Sequence, residues 1–127
     1  MKLLNIINEL TVIDVSKSIN FYNKYFQFEV EETAGNPITW VRMKKDNCLI
    51  MFESYEEVCK EIEHYPKKVE TSNLIKFKYS DKDELFRLYN KLSNDNIEFF
   101  MQWKSTEYGS VEFGIFDPDK NLIILSS

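Results

Sequence analysis

The chain contains an internal repeat, and this feature restricts its fold more than any other. Residues 10–30 read LTVIDVSKSINFYNKYFQFEV, and residues 77–99 read FKYSDKDELFRLYNKLSNDNIEF. Asp14 and Asp81 occupy equivalent places, and Tyr-Asn-Lys follows at the same distance in both copies. Such a repeat indicates two copies of one supersecondary unit, each too small to bury a sheet face alone. The alternative is a coincidental similarity of two αβ units.

Each copy reads as a strand, a turn, a helix and a further strand. In the first copy, Leu10 and Val12 alternate with polar or small neighbours, which is typical of a strand. Apolar residues then recur at helical spacing: Val15, Ile19, Tyr22 and Phe26. Asp14 and Asp81 stand just before the predicted helices, where an N-cap side chain is favoured.

The second part of each copy also repeats. WVRMKKDNCLIMF (residues 40–52) aligns with GIFDPDKNLIILS (residues 114–126) when Asn47 is placed on Asn121. A Pro between two Asp, followed by Lys-Asn, predicts a turn between apolar strands. Both segments are therefore predicted to be β-hairpins, and each copy is a βαβββ module.

Length and composition favour one ordered domain. The chain has 127 residues, of which 43% are hydrophobic and 15% aromatic, with three Gly and three Pro. We expect module one at about residues 1–54, a charge-rich connection that begins with a short helix at about 55–71, and module two at about 72–127. No Gly-rich phosphate loop is present.

Charge and cysteine usage limit the partners and the compartment. The net charge is −5 and basic residues are scattered among acidic ones, so nucleic acid is disfavoured as a partner. No apolar run approaches a membrane span or a signal h-region, which favours a cytoplasmic protein without a membrane partner. Cys48 and Cys59 lack C-x-x-C spacing and are expected to be reduced.

Two motifs together resemble those of a known superfamily. VIDVSKSINFYNKYFQFEV, with its Asp, Ser and Phe-Tyr, and EYGSVEFGIFDPDKN resemble the vicinal oxygen chelate proteins: glyoxalase I, bleomycin resistance proteins and extradiol dioxygenases. The resemblance implies an α+β fold in which paired βαβββ modules form a curled mixed β-sheet around one cleft, with helices on the outer face.

The resemblance also implies where metal ligands would stand. In metal-using members the first and last strands of each half supply His, Gln or Glu to a divalent ion. Carried onto this chain, those four places fall on apolar residues: Ile7, Ile50, Leu74 and Ile124. We therefore expect no metal, no other cofactor, and an apolar cleft floor. The other candidate metal donors are Glu9, Glu53, Glu112 and His64, and His64 is better explained as a surface residue of the connection.

Alternation with period two assigns each strand residue to one of two sheet faces. We expect the following to pack beneath the helices: Leu10, Val12, Val41, Met43, Leu49, Met51, Ile75, Phe77, Tyr79, Phe113, Ile115, Ile123 and Leu125. The cleft face is then expected to carry Ile7, Glu9, Thr11, Trp40, Arg42, Ile50, Phe52, Leu74, Lys76, Lys78, Glu112, Phe116, Leu122 and Ile124. Large apolar groups among a few charges are typical of ligand pockets. A solvated sheet face with snorkelling Lys and Arg is the alternative.

The aromatic residues supply the candidate anchors. Aromatic rings that carry an N–H or O–H group suit planar or cationic ligands. A tryptophan in a small domain is, however, more often a core or interface residue. The predicted ligand-binding residues are Trp40, Arg42, Phe52, Lys76, Trp103, Tyr108, Glu112 and Phe116.

Two classes of function follow. The first is a metal-free, bleomycin-resistance-like protein that binds a small aromatic or cationic molecule in a cleft, as in antibiotic sequestration. The second is a metal-independent lyase or isomerase of the same superfamily in which Glu9 or Glu112 moves a proton. A structural or regulatory protein that associates through its aromatic surface is a third reading. The short chain and the resemblance together predict a homodimer.

Overall fold

The computed structural model describes residues 1–67 and 73–127. The chain divides into two compact units, residues 1–68 and residues 69–127. The predicted end of the connection, at about residue 71, lies outside the described residues. Within the described residues, no helix combines the length and the apolar character needed to cross a membrane.

The first unit is a four-stranded sheet with two helices. Its elements are β1 (Glu9–Val12), α1 (Val15–Phe26), β2 (Glu29–Ala34), β3 (Trp40–Lys45), β4 (Cys48–Ser54) and α2 (Tyr55–Glu61). The strand order is β1-β4-β3-β2, with β1 parallel to β4 and the other pairs antiparallel. The short helix expected at the start of the connection is therefore present as α2.

The second unit repeats this arrangement. Its elements are β5 (Leu74–Lys78), α3 (Lys82–Asn94), β6 (Phe99–Ser105), β7 (Val111–Phe116) and β8 (Leu122–Ser126). The strand order is β5-β8-β7-β6, and β5 runs parallel to β8. The α+β class and the two βαβββ modules are confirmed, whereas the single cleft that the resemblance implies stays a prediction.

The two long helices begin at the predicted caps. The Asp14 carboxylate accepts a hydrogen bond from the Lys17 N–H at 3.3 Å. The Asp81 carboxylate accepts two, from the N–H groups of Asp83 at 2.8 Å and Glu84 at 3.0 Å. These bonds satisfy N–H groups that have no partner inside the helix, so each Asp fixes where its helix starts.

Each sheet buries one face against its long helix, which we call the helix face, and we call the opposite face the far face. In the first unit the Tyr22 ring of α1 lies 4.6 Å from the Phe52 ring of β4, centroid to centroid, and both side chains are fully buried. In the second unit Leu85 and Leu92 of α3 are buried, as are four residues of β7 and β8: Phe113, Ile115, Ile123 and Leu125. Each core thus forms between one helix and one sheet face.

Strand β4 is the place where the predicted faces are wrong. Ile50 and Phe52 are buried on the helix face, because they pair with the buried Met43 and Val41 of β3. Leu49 and Met51, predicted to lie beneath the helix, therefore belong to the far face. A shift of one residue exchanged the two faces.

The cause is a difference between the two hairpin turns. Lys45 pairs with Cys48, so the β3–β4 turn has two residues, and Asp46 has the positive φ that suits such a turn. The β7–β8 turn is longer, because the last pair before it is Phe116 with Leu122. Aligning the two Asn residues of the turns consequently misplaced the following strand by one position.

Candidate functional site

The far face of the first sheet brings two rows of side chains together. In one row Glu9 of β1 pairs with Met51 of β4, which in turn pairs with Arg42 of β3. In the next row Glu53 of β4 has Thr11 of β1 on one side and Trp40 of β3 on the other. Cross-strand partners share a face, so these side chains form one surface that carries carboxyls, a hydroxyl and an indole.

Glu53 is the most unusual group on this surface. It is 5% exposed, although glutamate is rarely buried without a cation. Burial raises the pKa of Glu53 from 4.5 to about 7, and a hydrogen bond to the Glu61 carboxyl and the negative charge of Glu9 act in the same direction. Among the described residues, the side chains that act on Glu53 are carboxyls. Near neutral pH, Glu53 therefore holds its proton in a substantial fraction of the molecules.

Two further hydrogen bonds organise the same surface. The Trp40 indole N–H donates to the Glu9 carboxylate at 3.1 Å, which fixes the indole beside that negative charge. The hydroxyls of Thr11 and Tyr65 lie 2.8 Å apart. Tyr65 follows α2 in the chain, so this bond places the segment after α2 over the far face.

The predicted binding residue Arg42 lies on this face, but its charge is already paired. Its guanidinium contacts Glu31 at 2.9 Å and Glu32 at 3.1 Å, both on the neighbouring strand β2. Because these two carboxylates lie toward the edge of the sheet, they compete with Glu9 and Glu53 for the arginine.

The far face of the second sheet carries a different set. Lys76 pairs with Ile124, which pairs with Gly114, while Ser126 pairs with Glu112. The Glu112 carboxylate lies 3.6 Å from the Lys104 ammonium. Lys76 and Glu112 therefore lie on the face that the sequence predicted.

Phe116, another predicted binding residue, is part of a ring pair on that face. Its ring lies 5.4 Å from the Phe100 ring, centroid to centroid. A Cβ atom on Gly114 would come within 2.3 Å of the Phe100 ring, so a larger residue here would have to displace that ring. The two rings cover the part of the face beside Gly114.

Two predicted anchors do not lie on a far face. Trp103 packs against Phe86 and Tyr89 of α3 and against the buried Phe113, with ring centroids 5.1, 5.7 and 6.1 Å away. Trp103 thus belongs to the helix face, and its predicted placement in the cleft is wrong. Tyr108 stands in the β6–β7 turn with 93% of its surface exposed.

The four places that the resemblance assigns to metal ligands offer no suitable donors. Ile7, before β1, and Leu74, at the start of β5, are each 53% exposed, while Ile124 lies on the far face of the second sheet. Ile50 lies on the helix face, and the strand pairing makes Met51 the equivalent of Ile124. A thioether and aliphatic side chains do not suit the hard or borderline divalent ions that carboxylate and imidazole bind.

The other candidate donors do not replace them. Among residues 1–67 and 73–127, no three His, Cys, Asp or Glu side chains are arranged to hold a metal ion. The His64 imidazole is 91% exposed and lies 3.4 Å from the adjacent Glu63 carboxylate. The residues present therefore do not fit a divalent ion.

From the sequence, Glu53 is expected only as a candidate metal donor, and no role is predicted for Glu61 or Tyr65. The turn offered a signal for Glu53, because a two-residue Asp-Asn turn directs the fourth and sixth residues after it to the far face. No comparable signal identified Glu61 and Tyr65, since their contacts depend on how the chain folds back after α2.

The comparisons with known proteins agree with this fold. Of the solved structures, a glyoxalase-related enzyme from Fulvimarina pelagi superposes with a TM-score of 0.81 at 12% identity, covering 98% of this chain and 88% of the other. The lactoylglutathione lyase of Agrobacterium tumefaciens superposes with a TM-score of 0.75 at 19% identity, covering 98% of this chain and 95% of the other. A glyoxalase/bleomycin resistance protein/dioxygenase family enzyme from Burkholderia phytofirmans PsJN superposes with a TM-score of 0.78 at 16% identity, covering 93% of both chains. These identities show a shared fold alone.

A family model supplies the assignment that these structures do not. No curated protein is similar enough to count as a match. The model of the Glyoxalase/Bleomycin resistance protein/Dioxygenase superfamily matches residues 4–125, which is nearly the whole chain. The chain therefore belongs to this superfamily, in agreement with its two βαβββ modules.

Proposed function

We propose that the protein binds a small molecule that carries both a positive charge and an aromatic group, and that it does so without a metal. The observation that carries the proposal is the buried Glu53, which lies beside Trp40 and near the carboxyls of Glu9 and Glu61. A carboxylate group next to an indole suits a cationic ligand, since the ring face and the negative charges both attract it. Sequestration of an antibiotic is one use of such binding.

The charge around the surface supports a cation over an anion. Arg42 is held by Glu31 and Glu32, and the groups that influence Glu53 are all acidic. The net charge of −5 acts in the same direction by favouring encounter with cations. Trp40, Glu9 and Glu53 are the proposed anchors.

The binding test uses matched ligands. A library of aromatic cations is titrated against the protein, and each hit is compared with a neutral ligand of the same shape, such as benzyltrimethylammonium against neopentylbenzene. Isothermal titration calorimetry measures the affinity, so the readout does not depend on either tryptophan. We expect the cation to bind at least tenfold more tightly, and Trp40→Ala to weaken it by about 2 kcal/mol. Equal affinity for both members of a pair contradicts the proposal.

An enzyme is the second candidate, and the pKa of Glu53 favours it. A carboxyl with a pKa of about 7 can both accept and donate a proton at neutral pH, which is what general acid–base catalysis requires. The metal-independent lyase or isomerase expected from Glu9 or Glu112 would then use Glu53 together with Glu9, because Glu112 is already paired with Lys104. Chemical conversion of a bound ligand, followed by chromatography, separates the enzyme from the binding protein.

The metal-free state is tested directly. We expect purified protein to contain less than one tenth of an equivalent of Zn, Ni, Fe or Mn by elemental analysis, and a chelator to leave its melting temperature unchanged, because aliphatic side chains and a thioether occupy the ligand places. One tightly bound equivalent, with a lower melting temperature after chelation, contradicts this part of the proposal. The homodimer and the cytoplasmic location stay predictions.

A further inference from the structure

One row of side chains crosses all four strands of the first sheet on its far face. In this row each residue is the cross-strand partner of the next: Glu32 of β2, Arg42 of β3, Met51 of β4 and Glu9 of β1. Arg42 therefore has a carboxylate as its neighbour on one side and a thioether on the other. The pairing of the strands favours the β2 side for its guanidinium, because only that neighbour can pair with a positive charge.

A bulge in β2 adds a second carboxylate on the same side. Val30 of β2 pairs with Met43 of β3. Glu32 pairs with Arg42, the residue next to Met43, so Glu31 is an extra residue in β2. Both carboxylates reach the arginine, since Glu31 lies 2.9 Å from its Nε and Glu32 lies 3.1 Å from its Nη2. Two negative charges thus hold one positive charge at the edge of the sheet.

Arg42 also has a carboxyl within reach in the opposite direction. Glu53 stands two residues beyond Met51 on β4 and shares its face, so it is a diagonal neighbour of Arg42 at a separation that a long side chain can span. Glu9 lies one strand farther away. The Arg42 side chain is 32% exposed, so the carboxylates that pair with it, rather than close packing, decide its direction.

We infer that Glu31 and Glu32 select the charge of the ligand, because they hold Arg42 at the edge of the far face. With the arginine held there, the carboxyls at the centre of the face are left to attract a cation. In the absence of the two glutamates the guanidinium would turn toward Glu53 and offset its negative charge. The inference rests on the proposed function, since the centre of the face is the proposed binding surface, and it adds two specificity residues beyond the proposed anchors.

A double substitution tests this selection. The variant Glu31→Ala/Glu32→Ala removes both partners of Arg42. We expect benzyltrimethylammonium to bind this variant about tenfold more weakly than the unchanged chain, because a positive charge moves toward the ligand. Neopentylbenzene has no charge, so its affinity should stay the same and the preference for the cation should fall by the same factor. Isothermal titration calorimetry measures both affinities.

A third substitution identifies the arginine as the cause. Arg42→Met, added to the double variant, removes the positive charge and keeps an unbranched side chain, so the affinity for the cation should return to within about twofold of the original. The control variant Glu29→Ala/Glu56→Ala removes the same total charge from two exposed glutamates and should bind as the unchanged chain does. A tenfold loss that persists after Arg42→Met, or that the control variant shares, overturns the inference.

A measurement without ligand separates this inference from the binding proposal. Burial and the carboxyls of Glu61 and Glu9 raise the pKa of Glu53 to about 7. In the double variant the guanidinium of Arg42 beside Glu53 should lower that pKa by about 1 or more, and Arg42→Met should restore it. Carbon-13 NMR of the side-chain carboxyls follows the titration.

The two measurements fail in different ways. If the pKa of Glu53 is the same in the double variant as in the unchanged chain, Arg42 does not turn toward the centre of the face, and the inference is overturned. If that pKa falls as expected while benzyltrimethylammonium does not bind the unchanged chain, the hold on Arg42 is supported and the binding proposal is wrong.

Discussion

The Trp103→Ala variant is expected to unfold with a free energy about 3 kcal/mol lower than that of the unchanged chain. The reason is the position of the ring, which contacts Phe86 and Tyr89 of α3 and the buried Phe113 of β7. Removing a large ring from such a cluster costs its transfer free energy and leaves a cavity. The lower end of the usual range applies because Trp103 is partly exposed. Denaturant titration measures the difference.

Tyr108→Ala is the matched control for this loss. Tyr108 is an aromatic residue of the same unit, but it is 93% exposed in a turn, so its removal should change the free energy of unfolding by less than about 0.5 kcal/mol. Trp103→Phe should lie between the two, since it keeps one ring in the cluster. If Trp103→Ala proves as stable as Tyr108→Ala while ligand binding is lost, Trp103 is an anchor and its assignment to the helix face is wrong.

The fold could be predicted because the repeat carries its local signals twice. Asp14 and Asp81 mark the two helix starts by chemistry that acts within three residues, and both caps form as expected. Leu10 and Val12 alternate with polar or small neighbours in the sequence, and both are buried beneath α1 as this pattern predicts. Helix starts and strand faces that depend only on neighbouring residues were predicted correctly here, because the local conformational preference and the tertiary packing favour the same structure.

The faces of β4 could not be predicted in the same way. Leu49, Ile50, Met51 and Phe52 are all apolar, so alternation does not indicate which of them face the helix. The choice depends on the turn, where a two-residue loop in one hairpin and a longer loop in the other shift the register by one position. A one-residue shift exchanges every side chain between the faces.

Trp103 was misplaced for a related reason. Its flat ring with a polar N–H made it a candidate ligand anchor, but it lies on strand β6 (Phe99–Ser105). The pairing of β6 with β7 shifts register twice, between Phe99 and Met101 and between Met101 and Lys104. Only the packing of α3 on the sheet shows which side the tryptophan takes.

The buried carboxyl also required the tertiary structure. Glu53, Glu9 and Glu61 lie on β4, β1 and α2, and their interaction appears only when these three elements pack together. A glutamate near the end of an apolar strand is otherwise an unremarkable surface residue. The candidate site could therefore be recognised only in the tertiary structure, although the fold could be predicted from local sequence patterns.

The Glu53→Gln variant is expected to be more stable than the unchanged chain at pH 8 and to lose this advantage toward pH 5. The folded chain keeps a proton on Glu53 up to a pKa of about 7, whereas the unfolded chain releases it near 4.5. The folded state therefore binds more protons between these values, and its stability falls as the pH rises through them. At about 1.4 kcal/mol for each pKa unit, the stabilising effect of the substitution should grow by about 2 to 3 kcal/mol from pH 5 to pH 8.

Comparing the two proteins at each pH isolates this one group. The rest of the chain is identical in both proteins, so contributions from groups that do not interact with Glu53 cancel in the difference between the two free energies of unfolding. Denaturant titrations at pH 5, 6, 7 and 8 give that difference, and Glu56→Gln, an exposed change of the same chemistry on α2, should show none of the pH dependence. A difference that stays constant from pH 5 to pH 8 means that Glu53 is ionised in the folded chain at all these values, and that its burial beside Glu9 and Glu61 does not hold a proton.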